Sequence, residues 1–256
     1  QYWGKGDTKS IEKIFGYMFT LSLPIMLVFF STTMIVPEYV IRIFTDKEVF
    51  ITGAIPYLRC ASFSYVFMTL AMIYETLLKN VGFVKQCTIA SVVIVFLNIF
   101  LNAVFIFGLF GAPEMGISGA ALATSISNGT GFIICLIFNL KLTKFRLRFK
   151  NIFRVDLDLR KRFSKYTLPY TLNQLLWGFG FAMITVILGR LVEDVAMANS
   201  IATNVKDLVS CLYYAIASGS VIVIGNELGA NRLDKAKLYG DKLFKIGVIS
   251  GIILGI

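Results

Sequence analysis

The sequence predicts an all-α integral membrane protein, a polytopic helical bundle, and two observations carry that prediction. Only 16% of the 256 residues are charged, against 57% hydrophobic and 14% aromatic, whereas a water-soluble domain needs about 25% charged residues to clothe its surface. The 23 Phe are spread along the whole chain and not gathered in one anchor, so lipid is the expected solvent for most of it. The same composition excludes disorder, collagen and coiled coil.

A helix that crosses a bilayer needs about 20 apolar residues, and charge-free runs mark four such spans. Span one lies in the 24 residues between Lys13 and Glu38. Spans three, four and five occupy the 28 residues between Lys85 and Glu114, the 26 between Glu114 and Lys141, and the 24 between Lys165 and Arg190. Span two, Val49 to Leu78, is interrupted by Arg59 and Glu75, and span six, Val195 to Ile224, carries Lys206 and Asp207. A seventh apolar run begins at Phe244 and continues to Ile256. Gly116 and Gly119 with Ala120, Ala121 and Ala123 should bring span four close to a neighbour, and Gly247, Gly251 and Gly255 should form a packing stripe in the last span. The chain opens QYWGKGD without Met and closes GIILGI inside an apolar run, so it is expected to be an internal segment of a longer protein.

Orientation follows from the basic residues of the short loops. The stretch from Lys141 to Lys165 holds ten of the 25 Lys and Arg, and Lys5, Lys9, Lys13, Lys79, Lys85, Arg232, Lys235 and Lys237 alternate onto its side. The opposite loops, PEYVIRIFTDKEV, GAPEMG and RLVED, are neutral to slightly acidic. The basic loops are therefore expected in the cytoplasm, with the protein multi-pass in the plasma membrane. The net charge of +10 is then a topological signal. Anionic lipid headgroups are expected at the basic loop, and nucleic acid is not an expected partner.

Cys60, Cys87, Cys135 and Cys211 lie in or beside apolar runs without CxxC spacing, which predicts buried free thiols and no thiolate metal site. There is no His, so imidazole bases and His-metal sites are excluded, and neither a metal nor a cofactor is expected. With no paired acids on one helix face and no Gly-rich phosphate loop, no catalytic residues are assigned and an enzyme is not expected.

Placing Gly4 on Gly229 aligns QYWGKGDTKSIEKIFGYMF with NELGANRLDKAKLYGDKLF at an offset of 225 residues. Only Gly4 with Gly229 and Phe19 with Phe244 are identical, which is close to chance. The context is stronger, because each segment has an amide residue (Gln1, Asn226), then a Gly, then a basic turn, and each leads into an apolar span. Six spans lie between them, so the repeat would be parallel, as in transporters whose halves are related by an axis along the membrane normal, and it implies a parent of about twelve helices.

The stretch LNIFLNAVFIFGLFGAPEMGISGAALATSIS, Leu97 to Ser127, resembles the fifth-to-sixth helix signature of multidrug and toxic compound extrusion (MATE) transporters, and GISGAALAT is its most specific part. QYWGKGD, LPYTLNQLLWGFG and VIVIGNELGANRLDKAK are similar to the same family in the expected order. The resemblance implies a two-lobed architecture, with helices three to six of the N-lobe in 1–140, a basic inter-lobe connector in 141–165, and helices seven, eight and the start of nine in 166–256. It further implies a monomeric secondary transporter that exports small organic, cationic compounds in antiport with Na⁺ or H⁺ by alternating access. A flippase for a lipid-linked precursor of the same superfamily, or a scaffold without transport activity, are the alternatives.

Polar groups inside a span are functional candidates, because a mid-helix charge costs about 2.5 to 3.5 kcal/mol on insertion scales. Lys206 and Asp207 fall about 17 Å along span six. Neighbours in sequence diverge by about 100° around a helix, so each is expected to need a partner on another helix or a water-filled cavity. Asn204, on the same helix, is a further cavity or coupling candidate. On span five, Asn173 and Gln174 follow Pro169, whose ring frees a backbone carbonyl that polar neighbours must satisfy. The resemblance implies a coupling Glu where Gln174 stands; an amide can coordinate Na⁺ through its oxygen but cannot titrate. Asn98 and Asn102 share a face of span three as cavity lining or interhelical glue. Trp177, with Tyr213 and its neighbour Tyr214, could stack on a cation or simply pack. Arg59 and Glu75, about 24 Å apart by helical rise, are expected to snorkel to opposite ends of span two.

Overall fold

The computed structural model describes residues 1–143, 157–190 and 193–254. In chain order the helices are α1 (Thr8–Ile35), α2 (Pro37–Phe44), α3 (Glu48–Asn80), α4 (Val84–Phe107), α5 (Ile117–Leu142), α6 (Leu157–Arg190), α7 (Glu193–Gly229) and α8 (Leu233–Leu254). A single 3₁₀ turn, Leu109–Gly111, follows α4. The described residues contain no strand, and the fold is all-α. Among the described residues, six stretches are long and apolar enough to cross a membrane: Thr8–Ile35, Glu48–Asn80, Val84–Phe107, Ile117–Leu142, Leu157–Leu188 and Ala198–Gly229. They coincide with the six predicted spans.

Where structure and sequence reading differ, the helices run past the apolar runs. α6 (Leu157–Arg190) already takes in the end of the basic stretch, where Leu159 is buried. α8 starts at Leu233, well before Phe244. Composition marks the part of a helix that lipid can hold, whereas the hydrogen-bonded backbone continues until a capping residue stops it. α4 stops in that way: Gly108 takes a left-handed φ of 68° and its N–H bonds to the Val104 carbonyl. Of the basic stretch 141–165, residues 144–156 lie outside the described residues, and so does Gly255.

Contacts divide the chain into two compact units, Glu12–Val186 and a second made of Gln1–Ile11 with Ile187–Ile256. In the larger unit α5 packs most extensively on α3 and then on α4. Its small residues permit that approach. An added Cβ at Gly119 would lie 2.5 Å from the Phe105 carbonyl oxygen, one at Gly131 would overlap Ile94, and Ala121 and Ala123 are buried. The tight approach predicted for span four is therefore present. A cluster of edge-to-face rings fills the space between α1 and α3, with Phe15 and Phe19 at 5.3 and 5.8 Å from Tyr74, which reaches on to Phe132 of α5. Cys87 and Cys135 are buried free thiols as predicted, but Cys60 is half-buried and Cys211 is exposed. The glycine stripe of the last span is not a contact here: a Cβ at Gly247 or Gly251 would meet nothing within 4 Å.

The proposed repeat recurs bond for bond. The N–H groups of Lys5, Gly6 and Asp7 donate to the carbonyls of Gln1, Trp3 and Tyr2 at 3.1, 2.9 and 3.0 Å; those of Ala230, Asn231 and Arg232 donate to Asn226, Leu228 and Glu227 at 2.9, 3.2 and 3.0 Å. Gly6 and Asn231 both have positive φ, 71° and 59°. Each is the left-handed residue of a Schellman turn, and Asn is the residue after Gly that best tolerates that conformation. α1 and α8 then begin at Thr8 and Leu233, again 225 apart.

Candidate functional site

In the smaller unit, α7 presents a polar row. Lys206 Nζ lies 3.4 Å from Asp207 Oδ1, with 52% and 65% of the two side chains exposed. Although the Cβ directions diverge, the four-carbon lysine stem reaches its neighbour. Asp207 stands nine residues beyond Ala198 in a 32-residue span, about 14 Å by helical rise, and so well inside it. Asn204, also exposed, lies three residues before Asp207 on the same face. Below them Ser210, which is buried, donates to the Lys206 carbonyl at 2.7 Å and accepts from the Tyr213 hydroxyl. The Tyr213 ring lies 5.0 Å from that of Tyr214 at a tilt of 46° and borders a cleft of about 260 Å³ between α7 and α8. Chemically, this row offers a carboxylate, an amide and hydroxyls to a cation, with an ammonium already beside the carboxylate.

In the larger unit, the amide of Gln174 donates to the Tyr170 hydroxyl at 3.2 Å, one turn away on α6. Its oxygen is the atom left to accept or coordinate. Asn173 is exposed beside it. Trp177 sits 4.9 Å from Phe181 on its own helix while 58% exposed, so its ring is partly packed and partly open. Asn98 and Asn102 act on each other and across helices: Asn102 Nδ2 donates to Asn98 Oδ1 at 3.0 Å, and Asn98 Nδ2 donates to Thr124 of α5 at 3.3 Å. The bonds are those of interhelical glue, yet Asn102 Oδ1 is buried with no hydrogen-bond partner. Glu75 does not simply snorkel: one oxygen is 2.9 Å from Lys79 Nζ and the other accepts from Ser91 of α4 at 3.2 Å. Arg59 is exposed.

Two features escape the sequence reading. The first is an open cavity of about 660 Å³ between α1, α2 and α3, bordered by Met26, Phe29, Phe44, Tyr65 and Met68, with Ser22, Thr33 and Thr69 as its aliphatic hydroxyls. That volume suits a drug-sized apolar molecule. Beneath it the Ser62 hydroxyl donates to Thr33 at 2.7 Å, a buried bond that joins α1 to α3. The second is α2 itself, where Arg42 bonds Glu38 at 3.0 Å and Glu48 at 2.8 Å. Among the described residues no cluster of acids and cysteines has the arrangement to hold a metal.

The MatE family model matches residues 1–104 and 169–256. Among relatives, the probable multidrug resistance protein NorM of Listeria innocua is 32% identical over 192 residues, 73% of this chain and 40% of that protein. The probable multidrug resistance protein YoeA of Bacillus subtilis is 23% identical over 259 residues, all of this chain and 55% of its own length. The chain thus spans about half or less of the curated relatives it matches. Among solved structures, a MATE protein in complex with Br-NRF superimposes with a TM-score of 0.73 at 19% identity, over 98% of this chain and 58% of that one. A MOP superfamily transporter from Pyrococcus furiosus does so with a TM-score of 0.79 at 20% identity, over 98% and 55%.

Proposed function

The chain belongs to the MatE family of multi-pass membrane transporters, which are not enzymes, and we propose that it forms part of a secondary exporter of small organic compounds, cationic ones foremost, coupled to inward movement of Na⁺ or H⁺. Residues 1–140 and 166–256 are assigned to two lobes, joined by the basic connector 141–165 on the cytoplasmic side of the plasma membrane, where anionic lipid headgroups hold it. The lobes rock to expose a shared cavity to either side, and the protein acts as a monomer.

The observation that carries the coupling is Asp207 inside the Ala198–Gly229 span with Lys206 3.4 Å away. A carboxylate there is costly, and the ammonium offsets the cost until a cation replaces it. Exchange of lysine for an incoming ion gives that ion a differential interaction with two states of the transporter, which is what coupling requires. Asn204 supplies a second oxygen on the same face. Gln174, with its amide nitrogen committed to Tyr170, contributes its oxygen as a non-titrating ligand and favours Na⁺ over H⁺ at that position. Within the larger unit Asn173, Trp177, Asn98 and Asn102, and within the smaller unit Tyr213, are assigned to cavity lining or bracing, with the aromatic faces of Trp177 and Tyr213 suited to a cationic substrate.

Asp207→Asn in the full-length protein tests the assignment, with efflux of a fluorescent organic cation driven by imposed Na⁺ or pH gradients. Removing a differential interaction of about 1.4 kcal/mol or more lowers coupled efflux at least about tenfold. Unchanged coupling at normal expression would make Asp207 structural and move the coupling site elsewhere.

A further inference from the structure

The two repeat-related turns do more than resemble one another, because within the smaller unit they touch through their glycines. A Cβ added at Gly4 would overlap the carbonyl oxygen of Asn226 and come within 2.9 Å of the Ala230 nitrogen; one at Gly229 would overlap the carbonyl oxygen of Gln1 and lie 2.8 Å from its Cα. The contact is reciprocal. Gln1 stands three residues before Gly4, Asn226 three before Gly229, and the pairs are related by the same offset of 225. It is an isologous contact in the sense used for symmetric dimers, one patch meeting its own equivalent about a local two-fold.

The chemistry of the contact is that of a surface built to part. Every backbone bond of each turn closes within that turn, and among the described residues no backbone hydrogen bond crosses between 1–7 and 226–232. The ion pair of Arg232 with Glu227 is also internal to one turn. Separation therefore breaks no backbone hydrogen bond among the described residues. What it forfeits is dispersion between backbones in close approach, many contacts of about 0.1 to 0.2 kcal/mol each. A side chain at either glycine would hold the turns apart and remove even that.

Resting on the transport reading above, we infer that Gly4 and Gly229 are the contact residues of a gate on the basic-loop side of the transporter. The gate is shut here and parts when the lobes rock to admit substrate from that side. Gln1 and Asn226 are its other half, and their carbonyls are the surfaces the glycines meet. The two Schellman turns are the positioning elements, since each aims its glycine at the other before leading into α1 or α8.

The test uses full-length protein lacking Cys60 and Cys211, the two thiols that are not buried. The Cβ position of Gly225 lies 3.8 Å from the Gln1 nitrogen, so Gln1→Cys with Gly225→Cys can be bridged by a short bifunctional thiol reagent. Bridging is expected to stop cation efflux and reduction of the bridge to restore it. Adding Gly4→Ala or Gly229→Ala to that pair is expected to lower the bridging yield several-fold while expression holds. Normal efflux from the bridged protein would overturn the gate, and so would a pair that does not bridge or a yield indifferent to both alanines. If the unsubstituted protein exported nothing under any gradient, the transport reading would fail instead, and the dependence of bridging on the two alanines would still report the contact.

Discussion

At the scale of single residues, the glycines of α5 separate by what faces them. Gly119 has the Phe105 carbonyl where a Cβ would go, whereas a Cβ at Gly129 would sit 3.5 Å from the Phe67 ring, an ordinary packing distance. Gly119→Ala is therefore expected to destabilise by about 1 to 3 kcal/mol through overpacking. Gly129→Ala should be neutral or should gain up to about 1 kcal/mol, the usual helical benefit of replacing Gly. Thermal unfolding of the two variants in detergent checks both signs. The small-residue cluster itself is plain in GISGAALAT, but which of its members is tight depends on a carbonyl of another helix and has no local signature. Lys206 and Asp207 show the same divide. Two charges inside an apolar run are visible as an anomaly, while their pairing depends on a flexible lysine rotamer that helical spacing does not fix.

At the scale of elements, α2 is the case in which composition and structure part. PEYVIRIF is too short to span and too apolar to be a plain turn, and it folds as a helix because Pro37 occupies its first position and Arg42 ties Glu38, one turn back, to Glu48 at the start of α3. The Glu48 hydrogen bond, followed by that to Glu38, raises the Arg42 pKa, so the clamp's cation persists as pH rises through and beyond neutrality. Arg42→Gln should speed amide exchange across 37–47 and leave the global unfolding temperature in place, since exposed pairs contribute little to overall stability. Faster exchange throughout α1 and α3 would instead make α2 part of the cooperative core. The long spans were legible because lipid demands unbroken apolar length; the start of α8 at Leu233 was not, because a helix outruns the bilayer until a cap stops it.

At the scale of the molecule, a repeat carried by two identities in sequence is carried by three matched hydrogen bonds, two matched left-handed residues and two matched helix starts in structure. Backbone geometry is matched here where side-chain identity is not. The 660 Å³ cavity was illegible for the opposite reason, since its lining is drawn from residues 22 to 69 on three helices and no local spacing encodes it. Topology remains directly testable by the distribution of basic loops: a single Cys at Ala112 should react with an impermeant reagent from outside intact cells and one at Asn151 should not, and the reverse pattern would invert the protein. The most direct measurement of all is uptake by proteoliposomes of the full-length protein, loaded with a fluorescent organic cation as substrate and given a Na⁺ or pH gradient of either sign. Transport of the cation against its own gradient, driven by one of the two imposed gradients and reversed with its sign, is the expected result. Movement that ignores both gradients, or no movement of any cation while the protein is folded and inserted, would contradict ion-coupled export.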